Sequence, residues 1–269
     1  MTTIAVDASS PVRARPAGFL SDCLAIASRA VRAVPREPEV LVPALFIPMF
    51  FFFINIGALA KLAEHGGRVT NFKAFQLPVA IIFAVTGVSR ASALVTDIQD
   101  GYFDRLLMTP VRRLPLLLGL MAADFLVVCG LTIPVLILGF IVGVRFPTGV
   151  GGVLVFVLMG GLWGLAFTGF PYAIALKTGN PAAVNTSFIL FFPFAFLTTA
   201  FLPKAALSGW LATIANYNPV TYLLEGMRSL VLTGWDGGAL AEGFAAIAGV
   251  GLVSITLALL ALRGRLRPS

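Results

Sequence analysis

The stretch Leu116-Leu-Leu-Gly-Leu-Met-Ala-Ala-Asp-Phe-Leu-Val-Val-Cys-Gly-Leu-Thr-Ile-Pro-Val-Leu-Ile-Leu-Gly-Phe-Ile-Val-Gly-Val144 contains a single charged side chain, Asp124. A helix rises about 1.5 Å per residue, so about 20 such residues cross a hydrocarbon core of about 30 Å. This run is long enough to do so with residues to spare. Outward from it, five more runs meet the same test: Val40–Ala60, Phe75–Thr96, Val150–Leu176, Val184–Leu202 and Ala239–Leu262. The second is the least apolar, because it holds Gln76 and Arg90. In lipid every backbone polar group has to be satisfied internally, which leaves helices as the reading for runs of this length. The expectation is an all-α, polytopic membrane protein with six transmembrane helices.

Composition points the same way. Of 269 residues, 58% are hydrophobic and 12% charged, where an average soluble chain carries about 25% charged residues. Mean hydropathy is +0.96. A soluble enzyme, a disordered chain and a secreted disulfide scaffold are all excluded. The net charge of +7 needs no nucleic acid to explain it, since membrane proteins carry basic cytoplasmic loops. Six spans put both termini on one side. With the termini inside, twelve basic residues fall on cytoplasmic segments and six on outer loops, a bias that predicts N-in, C-in.

Residues 1–39 read as a cytoplasmic tail, 40–262 as the six-span domain and 263–269 as a cytoplasmic C-terminal tail. The tail contains no signal-peptide core. From Phe19 to Val34, apolar residues including Leu20, Cys23, Leu24, Ala27 and Val31 recur at helical spacing. Asp22, Arg29, Arg32 and Arg36 fall opposite them, as in an amphipathic interfacial helix or one packed on a partner. Gly139-x-x-x-Gly143 and Gly160-x-x-x-Gly164 offer surfaces for close helix packing.

Several kinds of chemistry are missing. No Gly-Lys dipeptide occurs, so the chain lacks a G-x-x-x-x-G-K-[ST] phosphate loop. Cys23, Cys129 and His65 show no metal-ligand spacing, and no nucleophile motif is present. Acids and histidines at membrane depth are too few for a proton-coupled pump. Powered transport would draw its energy from another chain, and a cofactor bound by this one is not expected.

The loop between spans two and three is the most informative. Asp97 is placed to cap a short helix, with Asp100 in its first turn. Ile98, Tyr102, Leu106 and the neighbouring Phe103 and Leu107 form an apolar stripe, and Thr109-Pro110 ends it. A short amphipathic helix with a rigid exit suits docking in a groove. Two further polar pairs stand out. Arg90 and Asp124 lie at similar depth in spans two and three, about 9–12 Å inside the cytoplasmic boundary. They are expected to pair across those helices. Glu225 and Arg228, three apart on one helix face, are expected to form a structural ion pair. Between spans five and six, Ala205–Asn216 and Thr221–Thr233 read as two short helices divided by Asn218-Pro219.

The run Asp100-Gly101-Tyr102-Phe103-Asp104-Arg105-Leu106-Leu107-Met108-Thr109-Pro110-Val111-Arg112-Arg113 resembles the signature of type 2 ABC transporter permeases. Asn218-Pro219-Val220-Thr221-Tyr222-Leu223-Leu224-Glu225-Gly226-Met227-Arg228 is similar to the Asn-Pro-x-Thr-Tyr…Glu-x-x-Arg pattern of that family. Arg36-Glu37-Pro38-Glu39 is a weaker third match. The likeness spans essentially the whole chain and is nearest to daunorubicin-resistance export permeases, although Tyr102 stands where many members have Thr. The resemblance implies a bacterial cytoplasmic-membrane permease paired with a second copy and with two cytosolic ATPase subunits, which bind ATP and Mg. It makes residues 97–110 the coupling helix and 203–238 an outer re-entrant segment. The implied activity is export of a drug or lipid-like compound. A lipid-linked polysaccharide is the alternative cargo, and a passive channel or membrane scaffold the alternative class.

Overall fold

The computed structural model describes residues 18–33, 38–65, 70–101 and 113–265. Every regular element among them is helical. In chain order these are α1 (Phe19–Ala33), α2 (Pro38–His65), α3 (Phe72–Thr86), α4 (Ala91–Gln99), α5 (Arg113–Ile141), α6 (Gly149–Thr178), α7 (Pro181–Ser187), α8 (Phe191–Phe196), α9 (Gly209–Tyr217), α10 (Pro219–Arg228) and α11 (Gly237–Arg265). Five stretches among the described residues are helical, long and apolar enough to cross a membrane: Leu41–Lys61, Phe72–Gln99, Leu117–Ile141, Gly149–Thr178 and Gly237–Arg265.

The centre of the fold is α6, which packs on α3, α5 and α11. Trp163, Tyr172, Phe156 and Met159 of α6 are fully enclosed. Between helices in lipid the hydrophobic effect drives little, so close backbone approach and interhelical hydrogen bonds carry the packing. Both glycine pairs act inside the chain. A β-carbon at Gly164 would lie 2.7 Å from Val128 on α5, and one at Gly139 would lie 2.8 Å from Leu77 on α3. On the other side of α6, Ser254 of α11 donates its hydroxyl to the Ala166 carbonyl. By contrast α2 is poorly covered. Phe46, Phe50, Phe51 and Phe53 are each half exposed or more.

Three expectations need correction. The second span is not one helix over Phe75–Thr96. It breaks between Thr86 and Ala91, and α3 and α4 are separate helices. The fifth predicted span, Val184–Leu202, is also interrupted. Asn180 caps α7 through its side chain with Pro181 at the first turn, and a single tight turn at Phe188–Leu190 leads into α8. Helix then ends at Phe196, ahead of an irregular Leu197–Pro203. Pro193, which has no N–H to give, leaves this stretch short of backbone bonds. Finally, α1 forms where expected but uses a different face. Ala27 and Ala30 pack on Ala123 of α5, with Ile26 beside Gly119, whereas Leu24 is 69% exposed. The two outer helices divided at Asn218-Pro219 are present as α9 and α10.

Candidate functional site

The predicted coupling residues Tyr102, Phe103, Asp104, Arg105, Leu106, Leu107, Thr109 and Pro110 lie outside the described residues. Asp97, Asp100 and Gly101 lie within them, and they correct the expected cap. Asp97 sits inside the last turns of α4, and Asp100 follows that helix at its C-terminal end. Neither starts a helix. Gly101 takes φ +69°, the left-handed conformation that glycine adopts without strain, and its N–H bonds to the Ile98 carbonyl.

The end of α4 is tied on two sides. Arg29 of α1 reaches Asp97 at 3.5 Å, and Gln99 Nε2 donates to the Gly179 carbonyl just beyond α6 at 3.0 Å. The Arg29 contact is half exposed and contributes on the order of 1 kcal/mol or less. Its effect is to set the position of α1 relative to α4. Sequence reading placed Arg29 on the polar face of α1 without a partner, because the partner is 68 residues away.

The start of α4 is held by Asp124. This side chain is fully buried in α5. One carboxyl oxygen accepts the main-chain N–H of Arg90 at 3.0 Å, and the other accepts the hydroxyl of Tyr172 on α6 at 2.8 Å. The pairing of Arg90 with Asp124 is therefore real in space but different in kind. It runs through the Arg90 backbone, and the guanidinium makes no ion pair with Asp124. The first N–H groups of any helix lack intrahelical acceptors. Here the acceptor comes from a neighbouring span. Tyr172 was missed, although it is one of only 4 tyrosines in the chain and lies inside an apolar run. A buried phenol needs a partner, and that was the available signal.

The outer motif forms a second node. Asn218 accepts the Val220 N–H at 3.0 Å with Oδ1, capping α10. Its Nδ2 donates to the Phe194 and Leu197 carbonyls at 2.7 and 2.9 Å. Arg228 is 6% exposed. Its Nε donates to the Phe75 carbonyl at 3.1 Å, Nη1 to Thr199 Oγ1 at 3.0 Å, and Nη2 to the Thr199 and Ala200 carbonyls at 2.8 and 3.4 Å. The guanidinium carbon lies 3.5 Å from the centre of the Phe75 ring. The expected Glu225–Arg228 ion pair does not form. The irregular Thr199–Ala200 backbone offers carbonyls that a guanidinium fork can satisfy together, and Arg228 turns to them. Tyr222 donates its hydroxyl to the Asn216 carbonyl at 2.6 Å, and Lys204 lies over its ring at 5.6 Å. Thr221 is buried beside this node.

Between α2, α3 and α8 lies a cleft of about 300 Å³. Phe51, Phe83, Phe191, Phe192, Phe196 and Phe201 supply much of its wall, with Asn55, Gln76 and Thr86 as polar members. The aromatic runs are thus split in use. Phe191 is buried in the core, whereas Phe192, Phe194 and Phe196 of α8 are exposed to between 41% and 53%.

Five membrane-length helices, two helix breaks sealed by buried polar side chains and an aromatic cleft define a multi-pass helical membrane permease. The chain belongs to the ABC-2 type transporter family, which it matches over residues 21–232. It is similar to the daunorubicin resistance ABC transporter permease protein DrrB1 of Streptomyces coeruleorubidus, with 28% identity over 71% of this chain and 66% of that one. It is similar to the probable doxorubicin resistance ABC transporter permease protein DrrC of Mycobacterium tuberculosis, with 23% identity over 80% and 79% of the two chains. A putative transport permease, ycf38 of Cyanophora paradoxa, is 24% identical over 79% of this chain and 74% of its own length. The bacterial relatives are consistent with a place in the cytoplasmic membrane.

Proposed function

We propose that the chain is the membrane subunit of an ATP-driven exporter that moves a hydrophobic or amphipathic compound out of the cell. ATP and Mg are handled by two separate cytosolic ATPase subunits, and this chain catalyses no reaction of its own. It works beside a second copy of itself. The chain crosses the membrane six times with both termini inside. The interrupted stretch through α7 and α8 provides the fifth crossing, and α9 and α10 dip into the outer leaflet. Residues 97–110 dock on the ATPase, and α1 lies along the inner surface. The observation that carries this reading is the aromatic cleft beside α2 and α8 in a chain of ABC-2 sequence. Such a wall accepts apolar cargo, and apolar cargo partitions to that depth from the membrane itself.

The helix α4 leads from the Asp124 node to the docking loop. Displacement of the loop by the ATPase shifts α4 about that node and is passed to α5 and α6. The test is reconstitution with the ATPase and measurement of export into vesicles. Phe103→Asp and Leu107→Asp are expected to lower drug-stimulated ATP hydrolysis and export at least 10-fold while the permease itself stays folded. That factor corresponds to about 1.4 kcal/mol or more of lost coupling. Unchanged export and unchanged co-purification of the ATPase in both variants would overturn the docking assignment.

A further inference from the structure

The chemistry of the cleft narrows what it holds. No Asp, Glu, Lys or Arg lines it, so a charged group placed inside would lose water without gaining a partner. Its aromatic wall is braced: Phe83 stands edge-on to Phe191 and to Phe196, each at 5.6 Å between ring centres, and Phe192 stacks on Phe196 at 6.1 Å. Thr86 is committed already, donating to the Ile82 carbonyl at 2.6 Å and accepting from Trp163 Nε1 at 3.0 Å. Gln76 differs. It is 1% exposed, it lines the cleft, and its Nε2 has no hydrogen-bond partner among the described residues. Few buried polar groups are left so, and each calls for a specific explanation. The apolar alternative at this position, a leucine or methionine, would avoid the cost altogether.

We propose that Gln76 is the polar anchor of a ligand site, its amide N–H donating to a carbonyl or ether oxygen of an uncharged, flat aromatic compound packed among Phe83, Phe192 and Phe196. The proposal rests on the reading of the cleft as part of the cargo path, and it names the cargo's chemistry. An acyl chain would fill the same space and leave the amide unpaired. A fused aromatic ring bearing one oxygen acceptor satisfies both demands, with edge and face contacts to the phenylalanines. A volume of about 300 Å³ is at the lower end for ligand pockets and matches a compact ring system. It is small for a lipid-linked oligosaccharide.

The experiment uses the purified full-length permease in detergent without an ATPase, so that binding is read independently of export. The probes are fluorenone and fluorene, which share a skeleton and differ by one carbonyl oxygen. Equilibrium dialysis against protein-free detergent corrects for partitioning. The wild-type protein should favour fluorenone by about 3–10-fold, the worth of one net hydrogen bond. Gln76→Leu should keep fluorene binding and lose that preference, with a melting temperature unchanged or raised because an unpaired buried group has gone. Equal binding of the two probes by the wild type would overturn the proposal without any variant. So would a preference that survives in Gln76→Leu. A fall in melting temperature with no change in probe preference would instead make Gln76 structural, paired across a second copy, and would also overturn it. If the preference behaves as expected while reconstituted complexes export neither probe, the ligand site stands and the cargo-path reading falls.

Discussion

The break between α3 and α4 and the break that follows α8 are each sealed by one buried side chain, and the two side chains are opposite in kind. At the first, the start of a helix presents N–H groups, and the carboxyl of Asp124 accepts one of them together with the Tyr172 hydroxyl. At the second, the end of a helix leaves carbonyls, and the Arg228 guanidinium donates to Thr199 and Ala200 while holding Phe75 as well. The polarity of the peptide chain decides which residue fits. Acceptors suit helix starts and donors suit helix ends, as the helix dipole also favours. Non-helical backbone survives at membrane depth only where protein satisfies it, so both breaks depend on their anchors.

The anchors differ in how much they hold, and the largest effect is expected at Arg228. Arg228→Met removes donors from three carbonyls and one hydroxyl. It should cost about 3–5 kcal/mol, because each buried acceptor left unpaired costs roughly 1–3 kcal/mol. Arg228→Lys should recover less than half, since an ammonium cannot reproduce the planar fork. Glu225→Gln should stay within about 0.5 kcal/mol. Unfolding in mixed detergent reads all three. A Glu225 variant as damaging as the Arg228 variant would restore the ion pair that the sequence led us to expect, and would break the contrast between the two anchors.

The Asp124 node comes next. Asp124→Ala leaves the Arg90 N–H and the Tyr172 hydroxyl unpaired and should cost about 2–4 kcal/mol. Tyr172→Phe should cost about 1–2 kcal/mol. Because the two residues share a hydrogen bond, the double variant should fall short of the sum by about 1 kcal/mol. Asp124→Asn keeps an acceptor for the Arg90 N–H and should be the mildest. If it matched Asp124→Ala in unfolding experiments, capping of α4 would not be what Asp124 contributes.

Reading from sequence worked where the signal was local and failed where it was not. Apolar length located every long helix, and the outer helices were divided correctly at Asn218-Pro219, because proline restricts the residue before it and opens a helix well. Span two looked continuous because no proline marks Gly87–Arg90. Its break is stabilised by Asp124, 34 positions away from Arg90. The pair at Glu225 and Arg228 follows helix spacing, yet the partners that win are 29 and 153 positions away. Arg90 and Asp124 were brought together by depth alone, a measure that fixes the neighbour but not the atom. Gln76 registered only as a weakness in a span, although a lone amide in an apolar helix is itself a question about its partner.

Asn218 joins the two kinds of anchor in one side chain. Its Oδ1 caps the start of α10, as Asp124 caps α4, and its Nδ2 serves carbonyls at the end of α8, as Arg228 serves those that follow. The two duties separate by substitution. Asn218→Ser keeps a capping oxygen and loses both donated bonds, for an expected loss of about 1–2 kcal/mol. Asn218→Ala loses the cap as well, and should add about 1 kcal/mol. Combining Asn218→Ser with Arg228→Met tests whether the two donors hold one structure. If Leu197–Pro203 loosens as a unit once Arg228 is gone, the second substitution removes bonds that are already broken, and the pair should cost less than the sum. Strict additivity would mean that the two residues brace the end of α8 independently. The irregular segment would then be two local clamps rather than one sealed break, and the comparison with the single-anchor break at α4 would hold only for Arg228.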